Sequence, residues 1–324
     1  MFKLRAAALS AAFIVAAAPA FATDIIVTQY TGDLAGAPYA IALHEGYFKQ
    51  VGSNVTGVIS TDGGGTSVRT TQASDFGYGE VSGASAITAI MQGQDFKIVD
   101  LGTRNLATQT VIVMPNSPVK TVADAKGKKW GITNPQSVSE MTAALTISQA
   151  GLKPNVDVKL VALGGMAGTL TGLTSGAVDV GGLTSGSFME NGGESKFRIL
   201  VQGKDLPPLP TAVGIATGKL IKEHPEQITA LLKARRMGVQ YIYAHPQDAA
   251  KMLTDLYKPL PADIIAKMID DLAAAKYWGE GNMEATPMDN QVKALKLVGV
   301  VKPDQDVDWK SMFDNRFLPP DLQK

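Results

Sequence analysis

The chain reads as an α/β protein, with sheets of largely parallel strands covered by helices on both faces and a helical tail. Three observations predict this. Short β-branched runs alternate with helical stretches through the first two thirds of the sequence, the pattern of βαβ units. The segments TTQASDFGYGEVSGAS (70–85) and GLTSGAVDVGGLTSGS (172–187) repeat one another in form. Each ends a helix on small residues, starts a strand at Asp75 or Asp179, and leaves through glycine and Ser-Gly into a new helix. Ordinary α/β alternation and a pair of similar facing lobes both account for that echo. After Lys219 the strand pattern gives way to helices alone.

In order, the first strand is expected at Asp24 to Tyr30. A helix from Pro38 to Glu45 follows, with Pro38 in the first turn, where a backbone N–H has no partner to lose, and Gly46 as the stop. Strands at Val55 to Ser60, Asp75 to Gly79 and Phe96 to Gly102 alternate with helices at Thr66 to Ala73 and Ala84 to Gln92. A second set has strands at Gln109 to Met114, Lys129 to Thr133, Val158 to Leu163, Val178 to Gly182, Arg198 to Gln202 and Thr211 to Ala216. Its helices lie at Val138 to Ala150, Ala167 to Ser175 and Gly186 to Asn191. The tail reads as four helices, Pro225 to Ala244, Pro246 to Tyr257, Ala262 to Ala275 and Pro287 to Leu297, with no strand.

The opening MFKLRAAALSAAFIVAAAPAFA joins a basic start (Lys3, Arg5), a short apolar run and the small-x-small triplet Ala20-Phe21-Ala22. This is the form of a secretory signal peptide, residues 1–22, cleaved after Ala22, with an apolar run too short for a membrane anchor. The remaining ~300 residues are enough for a substantial core, more often in two domains than one. With 30 Lys+Arg against 30 Asp+Glu, nothing suggests nucleic acid or an anionic membrane surface as partner. Cysteine is absent, which excludes disulfides, thiolate metal sites and cysteine nucleophiles. The expected location is a bacterial periplasm.

Catalytic motifs are missing. There is no G-x-x-x-x-G-K-[ST], G-x-S-x-G or H-E-x-x-H, and the nearest dinucleotide-like run, GYGEVSG (77–83), has its third glycine one position late. The three histidines, His44, His224 and His245, sit at helix boundaries, where capping explains them. No metal or cofactor is expected. What remains are loops between strand ends and helix N-termini, where open α/β sheets bind ligands: YTGDLAGAP (30–38), TDGGGTS (61–67), GEVSGAS (79–85) and TNPQSVSE (133–140). Ser137 to Glu140 has the form of a capping box, which accounts for both residues structurally; Ser139 and nearby amides could also face a ligand. Glu80 leaves its strand charged, as a ligand partner or as a solvated carboxylate. Arg104, at a strand end, suits a ligand carboxylate or an ion pair with Glu80.

With these residues in place, the chain resembles the bacterial ABC-transporter solute-binding proteins of the sulfonate, nitrate, taurine and thiamine-pyrimidine-precursor type. The resemblance is carried by PYAIALHEGYFKQVGSNV (38–55), ASDFGYGEVSGASAITAIMQGQDFKIV (73–99), VIVMPNSPVKTVADAKGKKWGIT (111–133), TGLTSGAVDVGGL (171–183) and HPEQITALLKARRMGVQYIYAHPQDAAKML (224–253). It implies the periplasmic binding protein fold of type II: two doubly wound lobes, joined by two hinge strands near Thr108 to Val113 and Ala212 to Ala216, that close on a solute. Residues 23–108 and 214–324 would form lobe I, and 109–213 lobe II. By position, the ligand residues carry over to Tyr30, Thr31, Asp33, Gly65, Thr66, Glu80, Ser82, Arg104, Ser137, Ser139, Met166, Thr184 and Ser185, with Gly165 and Leu183 beside them.

Many relatives have a Gly-Ser or Gly-Thr start where this chain has Pro135-Gln136-Ser137, and Glu140 weakens a simple anion site. An organic solute with donors and a planar or apolar body therefore stands beside a small sulfonate or nitrate, with Glu80 as its partner and Tyr30 or Tyr39 as a stacking wall. The implied role is non-enzymatic: a monomer that captures a small organic solute, such as a sulfonate, a carboxylate or a nitrogen heterocycle, and delivers it to a membrane permease and its ATPase. A periplasmic sensor using the same trap is an alternative. A pyrimidine-precursor synthase is a weaker one, because the cysteine-rich segment of that enzyme group has no counterpart here.

Overall fold

A computed structural model describes residues 23–323. The expected signal peptide, 1–22, lies outside the described residues. Among the described residues, eleven strands form two sheets. They are β1 (Thr23–Thr28), β2 (Val55–Thr61), β3 (Tyr78–Val81), β4 (Phe96–Thr103), β5 (Gln109–Val113), β6 (Lys129–Ile132), β7 (Lys159–Ala162), β8 (Val180–Thr184), β9 (Arg198–Gln202), β10 (Val213–Thr217) and β11 (Trp278–Gly281). Twelve α-helices accompany them: α1 (Ala37–His44), α2 (Tyr47–Gln50), α3 (Gly65–Ala73), α4 (Gly83–Met91), α5 (Val138–Gln149), α6 (Met166–Thr174), α7 (Ser185–Glu190), α8 (Gly218–Glu223), α9 (Pro225–Ala244), α10 (Pro246–Leu253), α11 (Ala262–Ala274) and α12 (Ala285–Leu297).

The first sheet has the order β2-β1-β3-β10-β4-β11 and the second β7-β6-β8-β5-β9. Each has a parallel half, β2-β1-β3 and β7-β6-β8, continued by antiparallel strands. The two orders superpose in kind, β3 standing where β8 stands and β10 where β5 stands. The echo between 70–85 and 172–187 therefore marks equivalent places in the two sheets: α3-β3-α4 in the first and α6-β8-α7 in the second.

The chain passes from one sheet to the other between Thr103 and Gln109 and returns between Gln202 and Val213. The stretches expected to cross, Thr108 to Val113 and Ala212 to Ala216, are largely β5 and β10. Each of these strands belongs to a single sheet, and the links come just before them. Entering from the far side reverses these strands, so the sheets are mixed where the sequence suggests largely parallel ones. The tail also contributes a strand that was not expected: β11 pairs antiparallel with β4 at the sheet edge, in an irregular register. Its sequence, Trp-Gly-Glu-Gly, lacks the β-branched run that signals a strand.

Apolar layers lie on both faces of both sheets. Ile25, Val27, Tyr39, Phe48 and Leu231 fill one face of the first; Val81, Ile87, Ile98, Ile215 and Leu295 fill the other, and Met141 and Leu145 of α5 join that cluster across from the second sheet. Trp130, Ile132 and Ile147 pack one face of the second sheet, and Ile112, Leu173 and Phe188 the opposite face.

Candidate functional site

The C-terminal ends of the parallel strands in both sheets face a shared cleft. β1 runs into Gln29, a non-glycine residue with φ 51°, so the chain turns sharply, and the Gln29 carbonyl accepts from the amides of Gly32 and Asp33 (both 2.8 Å). β2 runs into Gly63 and Gly64, both with positive φ (96° and 58°), a path glycine takes without steric cost before α3. β3 ends at Ser82, whose hydroxyl caps α4 by accepting from the Ser85 amide (3.2 Å). On the facing sheet β6 runs into Thr133 and the Ser137 cap of α5, β7 into Gly165 and α6, and β8 into Thr184, the cap of α7.

A cavity of ≈ 250 Å³ lies between them. Its walls come from Thr31 and Asp33, from Asp62, from Met166, Thr184, Ser185 and Glu190, and from Tyr257 to Leu260 with Ile265 and Met268. A narrower recess of ≈ 40 Å³ shares Gln29, Asp33, Asp62 and Met166 with it and continues past Gly63, Gly64, Ser82, Gln109, Thr133, Ser137, Ser139 and Thr211. The recess carries a hydroxyl cluster: Ser139 Oγ accepts from the Thr133 amide (2.9 Å) and lies 2.9 Å from Thr133 Oγ1 and 2.8 Å from Ser137 Oγ.

Direct hydrogen bonds link the two walls. The Gln136 carbonyl accepts from Ser82 Oγ (3.0 Å) and Ser85 Oγ (3.1 Å), and Thr184 Oγ1 donates to the Gly32 carbonyl (3.1 Å). Glu140 supports this loop. Its carboxylate accepts from the Gln136 amide (2.6 Å), one residue before the cap position at which a capping box closes, while Ser137 Oγ accepts from the Glu140 amide (3.3 Å). Burial raises the Glu140 carboxyl.

Asp33 stands between the cleft and the inter-sheet links. Only 8% exposed, it caps the turn Leu34–Gly36 by accepting from the Ala35 amide (3.1 Å), and its other oxygen lies 3.3 Å from Thr108 Oγ1. Thr108 Oγ1 lies 3.2 Å from the Tyr277 hydroxyl, which lies 2.7 Å from Thr211 Oγ1, itself 2.9 Å from Thr103 Oγ1. This buried chain of hydroxyls joins both links, 104–108 and 203–212, to the floor of the cleft. Burial outweighs the hydrogen bonds and pushes the Asp33 carboxyl up to about 7.

Of the residues expected to touch ligand, Thr31, Asp33, Ser82, Ser137, Ser139, Met166, Thr184 and Ser185 lie along the cleft. The others do not. Tyr30 is buried in the core against Gly36, because the left-handed turn at Gln29 directs it inward; burial raises its hydroxyl to about 12. Gly65 and Thr66 belong to the first turn of α3, where Thr66 Oγ1 accepts from Arg69 (3.2 Å), and Gly63 and Gly64 take the cleft position instead.

Glu80 is fully buried beneath the cleft. Arg235 Nε lies 2.9 Å from Glu80 Oε2 and 3.1 Å from Asp100 Oδ2. The Asp100 contact is off the donor axis, so it attracts by charge without a directed hydrogen bond. The Arg235 guanidinium also donates to the carbonyls of Gly279 (2.7 Å) and Gly102 (2.5 Å), and the Tyr39 hydroxyl donates to Glu80 (2.9 Å). Tyr39 is therefore a core residue under Arg235 (5.5 Å from ring centre) and no stacking wall. Burial raises Asp100 to about 6 against the pull of Arg235. Arg104 pairs with Glu284 (2.6 Å), away from Glu80 and the cleft.

Sequence reasoning did not name Gln29, Asp62, Gln109 or Thr133 as ligand residues, although Asp62 and Thr133 lie within loops it singled out and Gln29 adjoins one. It also missed the apolar wall from Tyr257 to Met268, for which the tail sequence carries no local signal.

Residues 35–249 match the family model described as NMT1/THI5 like. The chain belongs to this family. A curated relative named as a putative aliphatic sulfonates-binding protein, from Bacillus subtilis, is 22% identical over 258 residues, covering 76% of this chain and 72% of its own. Two solved structures share the fold. The periplasmic aliphatic sulphonate binding protein SsuA from Escherichia coli matches with a TM-score of 0.69 at 19% identity, over 90% of this chain and 91% of that one. The periplasmic nitrate-binding protein NrtA from Synechocystis PCC 6803 matches with a TM-score of 0.68 at 14% identity, over 90% and 84%. These relatives are named as binding proteins rather than enzymes, and the fold is that of the periplasmic binding proteins. Among the described residues no helix is long and apolar enough to cross a membrane, and no cluster of acidic or histidine side chains forms a metal site.

Proposed function

We propose that the protein is the solute-binding component of an ABC importer, secreted to the periplasm by cleavage after Ala22 and working as a monomer with a membrane permease and its ATPase. Residues 23–108 and 214–324 form one lobe and 109–213 the other, and a small organic solute is held between them. One observation carries this reading: the cleft is lined from both sheets by the strand ends and helix caps at which open α/β sheets take ligands. A solute touching both walls binds the closed arrangement better than an open one, so binding itself drives closure. The bonds from Ser82, Ser85 and Thr184 to backbone carbonyls across the cleft close with it.

Titration calorimetry of the mature chain against sulfonates, carboxylates, pyrimidines and amines tests the assignment. Saturable one-to-one binding of a member, with a matching contraction in small-angle scattering, is the expected result. A well-folded protein that binds nothing in so broad a panel would refute it.

A further inference from the structure

The solute-trap reading leaves the solute's chemistry open, and the charges around the cleft narrow it. Three carboxylates from separate segments face the larger compartment: Asp33 after β1, Asp62 after β2 and Glu190 at the end of α7. None of them is in an ion pair among the described residues. The one basic side chain on these walls, Lys258, is engaged by Asp255 (2.7 Å) at the surface. Arg69 and Arg104 come from segments near the cleft, but neither lines it, and they are held by Thr66 and Glu284. Asp33 is nine-tenths buried, and its hydrogen-bond donors, the Ala35 amide and the Thr108 hydroxyl, are neutral. A buried carboxylate served by neutral donors alone lacks the cation that normally offsets its desolvation. Facing the carboxylates is an apolar wall of Leu260, Ile265, Met268 and Met166, with Tyr257 beside them.

We infer that the cleft selects a solute bearing a protonated nitrogen, an amine or an amidine, with its charge against Asp33 and its carbon body on the Leu260–Met268 wall. The inference rests on the solute-trap reading and goes beyond it by naming the chemistry. Asp62 and Glu190 add a longer-range field of the same sign. The hydroxyl-lined recess takes the other end of the solute, an acceptor group facing Ser137, Ser139 and Thr133. An anion in the larger compartment would meet the carboxylates of Asp62 and Glu190, a further carboxyl at Asp33 and no basic side chain other than the Asp255-engaged Lys258.

The carboxyl of Asp33 is pushed to about 7, so at neutral pH a cationic solute displaces a proton as it binds. The groups around it are Glu80 beneath, the Tyr257 and Tyr277 hydroxyls beside it, and Asp62, Glu190 and Lys258 around the cavity. Affinity for the cation then falls as pH drops from 8 to 5.

The test is calorimetry on the mature chain with pairs that differ in the nitrogen alone: 2-aminoethanesulfonate against 2-hydroxyethanesulfonate, 4-aminobutyrate against 4-hydroxybutyrate, and benzylamine against benzyl alcohol. In every pair that binds, the amine is expected to bind at least tenfold tighter. Asp33→Asn, whose amide still caps the turn, should shrink that preference below threefold. The double variant Asp62→Asn/Glu190→Gln, at exposed positions, reads the same preference should Asp33→Asn fail to fold; a reduced preference supports the inference and an unchanged one overturns it. Hydroxy partners binding as tightly as amines overturn the inference and leave the solute trap standing. A cooperatively folded protein that binds no pair and no member of the wider panel removes the trap itself.

Discussion

Replacing Asp33 with Asn should stabilise the empty protein, and the size of the effect can be worked from its surroundings. The carboxyl rises from an ordinary 3.8 to about 7, with burial as the largest cause. An acid whose folded value lies above its unfolded value costs nothing below pH 3.8, where both states are protonated. As pH rises the unfolded chain ionises first, so stability falls, and the loss levels off above about pH 7. Each unit corresponds to about 1.4 kcal/mol, which sets a ceiling of about 4 kcal/mol. With an effective interior dielectric nearer 20 than 4, about 2 kcal/mol is the working expectation. Unfolding entropy of about 0.6 kcal/mol/K for ~300 residues turns this into a melting temperature about 3 °C higher. Asn keeps the cap on the Ala35 amide, so little is lost in exchange. Calorimetric melts of both proteins at half-unit steps from pH 4 to 8 would show the curves coincide near pH 4 and diverge up to about pH 7. A constant offset at every pH, or a variant less stable at pH 8, would refute the reasoning.

Other perturbations follow from the same geometry. Arg235→Met strands Glu80 and Asp100 together in the core, and should lower unfolding free energy in denaturant titrations by about 3–5 kcal/mol; a loss under 1 kcal/mol would mean that the two carboxylates are neutral or reached by water. Ser85→Ala removes one of the two hydroxyls on the Gln136 carbonyl without touching the Ser82 cap; at about 0.5–1.5 kcal/mol per hydrogen bond, calorimetry should find solute affinity two- to tenfold weaker with the thermal midpoint nearly unchanged. Gly203→Ala puts a methyl into the Leu106 carbonyl where the two links pass each other. It should lower the thermal midpoint and alter the scattering profile of the empty form; unchanged values in both would mean that the links move apart freely.

Much of the architecture is legible in the sequence because strands inside an α/β sheet announce themselves locally. The β-branched runs at 24–30, 55–60 and 96–102 became β1, β2 and β4 within one or two residues at most ends. Strand direction is not local. β5 and β10 run antiparallel because of the side from which the links deliver them, and β11 exists because α9 packs a four-residue segment against β4. The cleft was legible in the same measure. Caps such as Ser82, Ser137 and Thr184 are readable from helix grammar, and grammar also places them at strand ends. Glu80 looked available because its partner, Arg235, lies 155 positions away on a helix with no motif to connect them. Tyr30 looked available because a left-handed glutamine before it is invisible in a sequence.

The position of Asp33 gives a physical route from solute to closure. Its carboxylate reaches the cleft on one side and Thr108 on the other, and through Tyr277 and Thr211 the same chain of hydroxyls touches both links. A cation drawn to Asp33 keeps the carboxylate ionised, and an ionised oxygen accepts the Thr108 hydroxyl more strongly than a protonated one does. That strengthens the bond in the linking segment when solute is present and weakens it when Asp33 takes up a proton instead. Thr108→Val cuts this connection without removing a side chain that lines the cleft, though it also frees the Gln109 side-chain amide that donates to Thr108 Oγ1 (3.1 Å). A cationic solute should then bind with the enthalpy of the Asp33 contact largely preserved, yet shift the scattering profile less per bound molecule. Equal contraction in the variant and the parent would show that closure is driven by the cleft walls alone and owes nothing to the hydroxyl chain.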